Sequence, residues 1–555
     1  MNPGYPDLHD HLKALEEHNL LLRIAQEINK DTELHPLVRW QYRGGLRDEE
    51  RKAFLFENVL DSKGRRYNIP VVVGALAGSQ CIYEIGMGCN GPEEMEKKWN
   101  HATAHMVEPE IVEEASCQEV VYIGEDLTRE GGGLDVLPVP ISTPGFDNAP
   151  YTTCSHWITK DPDTGVRNMG NYRGQIKTQT RVGIFPSALG QDVYIHWRKH
   201  QARGTHLPAA LVIGAPPAVS YTAVQKLPYG VDELAVSGGL AGRPIRLVRC
   251  KTVPLEVPAE AEIVIEGFIN TEFVEPEGPF GESHGYMHPR QLNPFMDVTA
   301  ITHRRDAIYV SWISQVTPSE SSVIKKRGYE MLFMRHLRDE CRIKSVIRVE
   351  MHEPLTNLRK FIVIQMQKPS EAEVWRALHA AASFHPGVGK IVVAVDEDID
   401  PASADAVMWA MCYRMKPHRD VHIVAGMEKG HAPPFHYKNL QEGTDVVSYH
   451  LPADDSALLC NAILKEPFPP ISLPKREFME HARELWEELG LPELHPQMPW
   501  YGYSLGQWDE ELEEEAELAV RGEHYQTGAK LAKRRVSVKR DTNAPISGQT
   551  IGIED

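Results

Sequence analysis

The 555-residue chain has no Cys-x-x-Cys pair; its eight cysteines stand singly at Cys81, Cys89, Cys117, Cys154, Cys250, Cys341, Cys412 and Cys460. That excludes a zinc knuckle or a dithiol redox motif and fits a reducing, cytoplasmic compartment. No apolar run approaches the roughly 20 residues of a spanning helix, so no membrane segment is expected. The opening Met1-Asn2-Pro3-Gly4-Tyr5-Pro6 has neither the basic cluster nor the apolar stretch of a secretory leader. Positive charge is in deficit: 59 Lys and Arg face 78 Asp and Glu, a net charge of −19. Nucleic-acid binding, which needs a basic footprint, is not expected. An anionic substrate would need a local cation, because the overall field does not attract it. Gly74-Ala75-Leu76-Ala77-Gly78-Ser79 follows a strand but lacks the Gly-Lys-Ser/Thr ending of a phosphate loop, so it reads as a structural turn. No Gly-x-Gly-x-x-Gly follows a strand either, which argues against a nicotinamide site.

What the chain does contain is ordinary globular composition, 42% hydrophobic and 25% charged, over a length that implies roughly three or four domains. Residues 1–125 read as α/β: an amphipathic helix capped by Asp7, with Leu8, Leu12 and Leu15 at helical spacing, a short strand from Leu20 to Ile24, a buried strand from Ile69 to Val73, and a helix over 92–106. Residues 126–320 carry short strand-like runs separated by Gly and Pro: Val193 to Trp197, Ala210 to Ile213, Ile245 to Arg249 and Glu262 to Glu266. They predict an antiparallel sheet or barrel. Residues 321–470 alternate strand and helix, Phe361 to Ile364, Glu371 to Ala382, Ile391 to Val395, Ala402 to Met415 and Val421 to Val424, which predicts a parallel sheet covered by helices. The acidic run from Asp396 to Asp400 lacks the pattern of a calcium loop and reads as a solvated strand end. Residues 471–555 read as a helical tail for oligomerisation, with helices at Glu477 to Leu489 and Trp508 to Val520, a basic stretch from Lys530 to Arg540, and a disordered last dozen residues. The whole is expected to be α+β and multidomain.

Two stretches carry chemistry. In Glu277-Gly278-Pro279-Phe280-Gly281-Glu282 two carboxylates stand five residues apart. In a straight strand they would face opposite sides. Pro279 fixes φ and the flanking glycines admit φ > 0, so the segment is a turn that can bring both acids to one side of a pocket. Paired there, one is held protonated and the other ionised; the alternative is a tight turn with two solvated glutamates. The second stretch runs from Thr152-Thr153-Cys154 to Asn168-Met169-Gly170-Asn171-Tyr172-Arg173. Asp161-Pro162 and Thr164-Gly165 mark a hairpin, with Asn168 and Arg173 on its return side. Arg173 offers a planar fork for a carboxylate.

These motifs, with Trp197-Arg198-Lys199-His200, Asp232-Glu233-Leu234-Ala235-Val236-Ser237-Gly238 and Val257-Pro258-Ala259 to Gly267 in the same order, resemble the UbiD family of reversible decarboxylases, over most of residues 7–470. The resemblance implies a central split β-barrel like that of flavin reductases, prenylated FMN as cofactor, and a prenyl-flavin synthase to supply it. It implies an aromatic or α,β-unsaturated carboxylic acid as substrate, a class that extends to aryl-CoA acids. It places the family's catalytic network on Glu277, Arg173 and Glu282, with Glu282 as proton donor. It places Mn²⁺ (or Mg²⁺) on Asn168, His200 and Glu233, and K⁺ beside the flavin phosphate. Hard oxygens with one imidazole suit such ions. His196 is the rival to His200, which is preferred because a tryptophan precedes it by three residues. Cofactor contacts are expected at Asn168, Met169, Gly170, Asn171, Tyr172, Arg173, Lys199, His200, Glu233 and, from the loop Lys429-Gly430-His431, Lys429. His284 and His288 are candidates for the substrate pocket. A homo-oligomer, dimer or hexamer, is expected. A flavin-dependent oxidoreductase and a non-catalytic subunit of a carboxylase complex are the rival readings, with a glycosidase using the two glutamates a distant one.

Overall fold

The structure is a computed structural model that describes residues 4–186, 191–225, 227–385, 387–427, 455–502 and 505–535. It divides into two compact units, residues 1–397 with 415–462, and residues 398–414 with 463–555.

The first unit begins with the helix Leu8–Glu17. The Asp7 carboxylate accepts from the Asp10 amide at 2.9 Å, and Leu8, Leu12 and Leu15 are buried. A capping bond satisfies an amide that the first turn leaves without a partner, and each such leucine contributes about 1.5–3 kcal/mol of burial. Strands Leu21–Asn29 and Ala53–Leu60 pair in parallel, and Val71–Val73 and Tyr309–Ser311 extend the sheet. The Gly74 turn is structural, as the missing phosphate-loop ending implies. Gly74 adopts φ +88°, and its amide donates to Glu320 Oε1 at 2.9 Å. Glu320 is buried and also accepts from the Ile313 amide at 2.9 Å.

The centre is a nine-stranded sheet whose pairings are antiparallel. Its path runs Tyr151–Thr152, Gly174–Thr178, Arg181–Ile184, Phe295–His303, Ile263–Ile269, Leu207–Ile213, His156–Lys160, Arg167–Asn171. Asn171 closes the last strand of that path and Gly174 opens the second, so Tyr172 and Arg173 alone connect the two ends. Three Cα steps reach at most about 11 Å. The sheet is therefore curled into a half-barrel, and Arg173 sits at its seam. The fold is mixed α+β, as the composition of the segments predicts.

Two expectations fail here. Val193 to Trp197 is not a strand but part of the helix Asp192–Ala202. The sheet of residues 346–462 is mixed, not parallel: Val421–Ala425 pairs antiparallel with Ser456–Ala462, and Val346–Met351 antiparallel with Phe361–Met366. Only the Phe361–Met366, Ile391–Asp396 and Ser456–Ala462 pairings are parallel.

In the second unit, Asp398 accepts both guanidinium nitrogens of Arg414 at 2.7 Å, and both residues are buried. That acid is thus an ion-pair partner and not part of a solvated strand end. The unit also holds helices Arg476–Glu488, Glu510–Val520 and His524–Ala532, all without buried residues. Among the described residues no helix is long and apolar enough to cross a membrane.

Candidate active site

The acid turn is built by two short ladders. Glu275–Glu277 pairs with Gln291–Asn293, and Phe280–Gly281 with Met287–His288. Between them Gly278 adopts φ +99°, and a Cβ there would lie 3.1 Å from the Pro289 carbonyl oxygen. The turn therefore requires glycine. It delivers both carboxylates to one guanidinium. Arg173 Nε and Nη2 donate to Glu277 Oε1 and Oε2 at 2.9 and 2.8 Å, and Nη1 donates to Glu282. Asn293 Nδ2 donates to Glu277 Oε2 at 3.1 Å. Phe185 and Phe280 pack on the guanidinium, 3.9 and 5.0 Å from ring centroid to carbon. Burial disfavours the Arg173 charge, but the two carboxylates outweigh it and hold its pKa above the ordinary value.

The two acids differ in access. The Glu277 side chain is 1% exposed and that of Glu282 18%. A cavity of about 320 Å³ is lined by Glu282, Arg173 and Phe280 at the acid turn, and by Asn168, Asp192 and Glu233 elsewhere on its wall. Glu277 is not part of that wall. The arrangement gives one sealed carboxylate that fixes the guanidinium and one that can meet a ligand. Its size is that of small-molecule sites.

Asp147 braces the turn from outside the cavity. Its carboxylate accepts from the Gly281 amide at 3.3 Å and the Thr143 amide at 2.7 Å. Burial pushes its pKa up to about 6, against those amides and the charges of Arg173 and Arg39. A raised pKa means that the folded protein holds the proton more tightly than the unfolded chain. The stabilisation is therefore complete below pH 4 and lost as pH rises to about 6. We predict that Asp147→Asn removes a fall of about 1–2 kcal/mol in unfolding free energy between pH 4 and 6. Denaturant titrations across that range check it.

Asn168 to Tyr172 all line the cavity. Asn168 lies opposite Thr159 in the hairpin, and its Nδ2 is buried without a hydrogen-bond partner. Glu233 opens the helix Glu233–Ala241, which Asp232 caps through the Leu234 amide at 2.9 Å. Glu233 Oε2 accepts from the Met169 amide at 2.8 Å. Burial, with the charges of Asp192 and Asp232, pushes the Glu233 pKa up to about 8. A buried acid with two acidic neighbours is a place where a cation would be stabilised.

Other expected residues lie elsewhere. His200 does not line the cavity; its Nδ1 meets Thr205 Oγ1 at 3.0 Å, near the far end of the 192–202 helix. His196 is turned to Thr159 Oγ1 at 2.9 Å. The helix instead brings its first residue, Asp192, to the cavity. Lys199 Nζ binds Asp161 at 2.7 Å and Asp163 at 2.9 Å and is not on the wall. The structure thus does not bring Lys199 or His200 to the cavity formed by their expected partners. His284 and His288 are not on the wall either; His288 packs edge-on to Phe185, 5.0 Å between centroids. Lys429 lies outside the described residues. Among the described residues no group of three or more His, Cys, Asp or Glu is placed to hold a metal. Asp192, Asn293 and Asp147 were not foreseen. Asp192 had a signal, an acid ahead of residues at helical spacing; the other two had none short of tertiary contact.

A half-barrel α+β protein in which one guanidinium joins a sealed carboxylate to one on the wall of a small-molecule-sized cavity has the features of an enzyme active site. The chain belongs to the UbiD family. Residues 110–316 match its 3-octaprenyl-4-hydroxybenzoate carboxy-lyase Rift-related domain and residues 326–448 its C-terminal domain. An uncharacterized protein of Aquifex aeolicus is 31% identical over 77% of this chain and 88% of its own length. The UbiD-class enzyme HmfF from Pelotomaculum thermopropionicum, solved in complex with FMN, is 30% identical, with TM-score 0.72 over 86% of this chain and 99% of that one. Vanillic acid decarboxylase of Sedimentibacter hydroxybenzoicus shares the fold, at 24% identity, with TM-score 0.70 over 88% of this chain and 99% of that one.

Proposed function

We propose that the protein is a reversible decarboxylase of an aromatic or α,β-unsaturated carboxylic acid that uses prenylated FMN. One observation carries the assignment of roles: of the two carboxylates joined by Arg173, only Glu282 lines the cavity. Glu282 is then the group able to give a proton to the carbon that loses CO₂. Arg173 orients it, and Glu277, anchored by Asn293, orients Arg173. When bound, the prenylated flavin supplies the electron sink that side chains lack. A split barrel of the flavin-reductase kind, and a prenyl-flavin synthase to supply the cofactor, belong to this reading, as does a homo-oligomer.

The fit of the cofactor's cations is supported by the acidic groups on the cavity wall. Asn168 has a buried unpartnered amide, and Glu233 a buried carboxylate beside Asp192. The carboxylate oxygens of Glu233 and Asp192 and the side-chain oxygen of Asn168 are hard donors of the kind that suits Mn²⁺ or Mg²⁺, with K⁺ as a companion. Asn168 and Glu233, with Asp192 in place of His200, would hold the divalent ion, and Met169 to Tyr172, with Lys429, would be contacts of the cofactor. The complete Glu-Arg-Glu set argues against a non-catalytic subunit.

Purification after co-production with a prenyl-flavin synthase, followed by a screen of aryl and unsaturated acids for CO₂ release, tests the reading. Glu233→Gln is expected to lower flavin retention through gel filtration roughly tenfold, as loss of a metal partner does elsewhere, and to leave folding intact. Retention equal to wild type would place the cation elsewhere.

A further inference from the structure

The cavity wall contains a second cationic feature that the decarboxylation chemistry does not use. On the helix Glu320–Arg335, Ser321, Lys325 and Tyr329 recur every fourth residue and all three line the cavity. Residues at that spacing share one helix face. Arg359 joins the same wall, its guanidinium 5.9 Å from the centroid of the Tyr329 ring. Its Nε is buried and has no hydrogen-bond partner. Among the described residues Arg359 makes no ion pair, in a protein whose other cavity guanidinium, Arg173, and whose buried Arg414 are each held by carboxylates. A buried N–H left without an acceptor costs about 1–3 kcal/mol. The turn that presents it is unusual too. Leu355, Asn357 and Leu358 all adopt positive φ, at 61°, 55° and 43°, and such backbone in non-glycine residues persists where the surroundings demand it.

We infer that Lys325, Arg359, Ser321 and Tyr329 form a second anion subsite that takes the distal carboxylate of an aromatic dicarboxylic acid. This rests on the decarboxylase reading, which puts the reacting carboxylate at Glu282 on the same wall. Arg359 presents a fork matched to a carboxylate, and Lys325 adds a point charge. The strongly negative protein makes such a local cation pair necessary for a dianion. The substrate is then selected at both ends: one carboxylate reacts and the other anchors.

The probes are the three benzene dicarboxylates and their monomethyl esters, which keep the ring and remove one charge. Calorimetric titration of the flavin-loaded protein is expected to show at least one diacid binding tenfold or more tighter than its monoester. Arg359→Met should bring that ratio to about one, Arg359→Lys should retain part of it, and Lys325→Gln should reduce it in the same direction. Flavin content, read by absorbance, should stay at the wild-type level in all three. The inference is overturned if no diacid outbinds its monoester, if Arg359→Met leaves the ratio unchanged, or if that variant loses its flavin, which would make the cation a cofactor-phosphate ligand. Binding of an aryl-CoA acid in preference to every diacid would overturn it as well. Failure of the decarboxylase reading shows separately, as diacid binding with no CO₂ released from any acid.

Discussion

Glu282→Gln is expected to lower turnover by about a thousandfold or more while the flavin stays bound. A positioned general acid contributes roughly 10²–10⁴-fold, and the amide cannot give up a proton. The substitution keeps the shape and the hydrogen-bond acceptor that meets Arg173 Nη1, so folding and cofactor retention should be little changed. Glu277→Gln should behave differently. Glu277 is off the cavity wall and is bound through both oxygens by Arg173, so its loss should loosen Arg173 and cost activity without removing the proton donor. Steady-state rates, with flavin absorbance as the occupancy control, distinguish the two. Full activity in the Glu282→Gln protein would contradict the assignment.

Arg173→Met is expected to be the most destabilising single change at the site, by about 3–5 kcal/mol, because removing one partner of a buried ion pair leaves an uncompensated charge. Glu277 is buried completely and would keep neutral donors such as the Asn293 amide in place of its counter-charge. Adding Glu277→Gln to Arg173→Met should recover part of the loss, since the amide no longer needs a counter-charge; neighbours of this kind are not additive. Denaturant unfolding of the flavin-free protein measures both. An Arg173→Met protein within about 1 kcal/mol of wild type would mean that the pairing contributes little, as exposed ion pairs do.

The acid turn was legible because glycine and proline constrain the backbone locally. Gly278 and Pro279 announce a reversal, and a reversal is what brings Glu277 and Glu282 to one guanidinium. The hairpin before Asn168 was legible for the same reason. The helix Asp192–Ala202 was misread because Val193, Tyr194, Ile195 and Trp197 favour strands. Yet its buried residues, Val193, His196 and Trp197, stand at i, i+3 and i+4, the spacing of a helix face. A strand reading gave no reason to bring Asp192, the first residue of the helix, to the cavity wall. The parallel sheet was over-read as well. The strand Val421–Ala425 pairs with Ser456–Ala462, a partner some thirty residues downstream that alternation cannot reveal. Arg359 carried no local signal, because a guanidinium without an ion pair among the described residues is visible only once its surroundings are known.

The most direct test of the central claim compares CO₂ release from an aromatic acid by one preparation in three states: free of flavin, loaded with FMN, and loaded with prenylated FMN. Turnover is expected in the last state alone, and it should vanish there in Glu282→Gln with the absorbance of the bound cofactor unchanged. Equal turnover in the flavin-free protein, or a fully loaded protein that releases CO₂ from no aryl or unsaturated acid, would contradict the account.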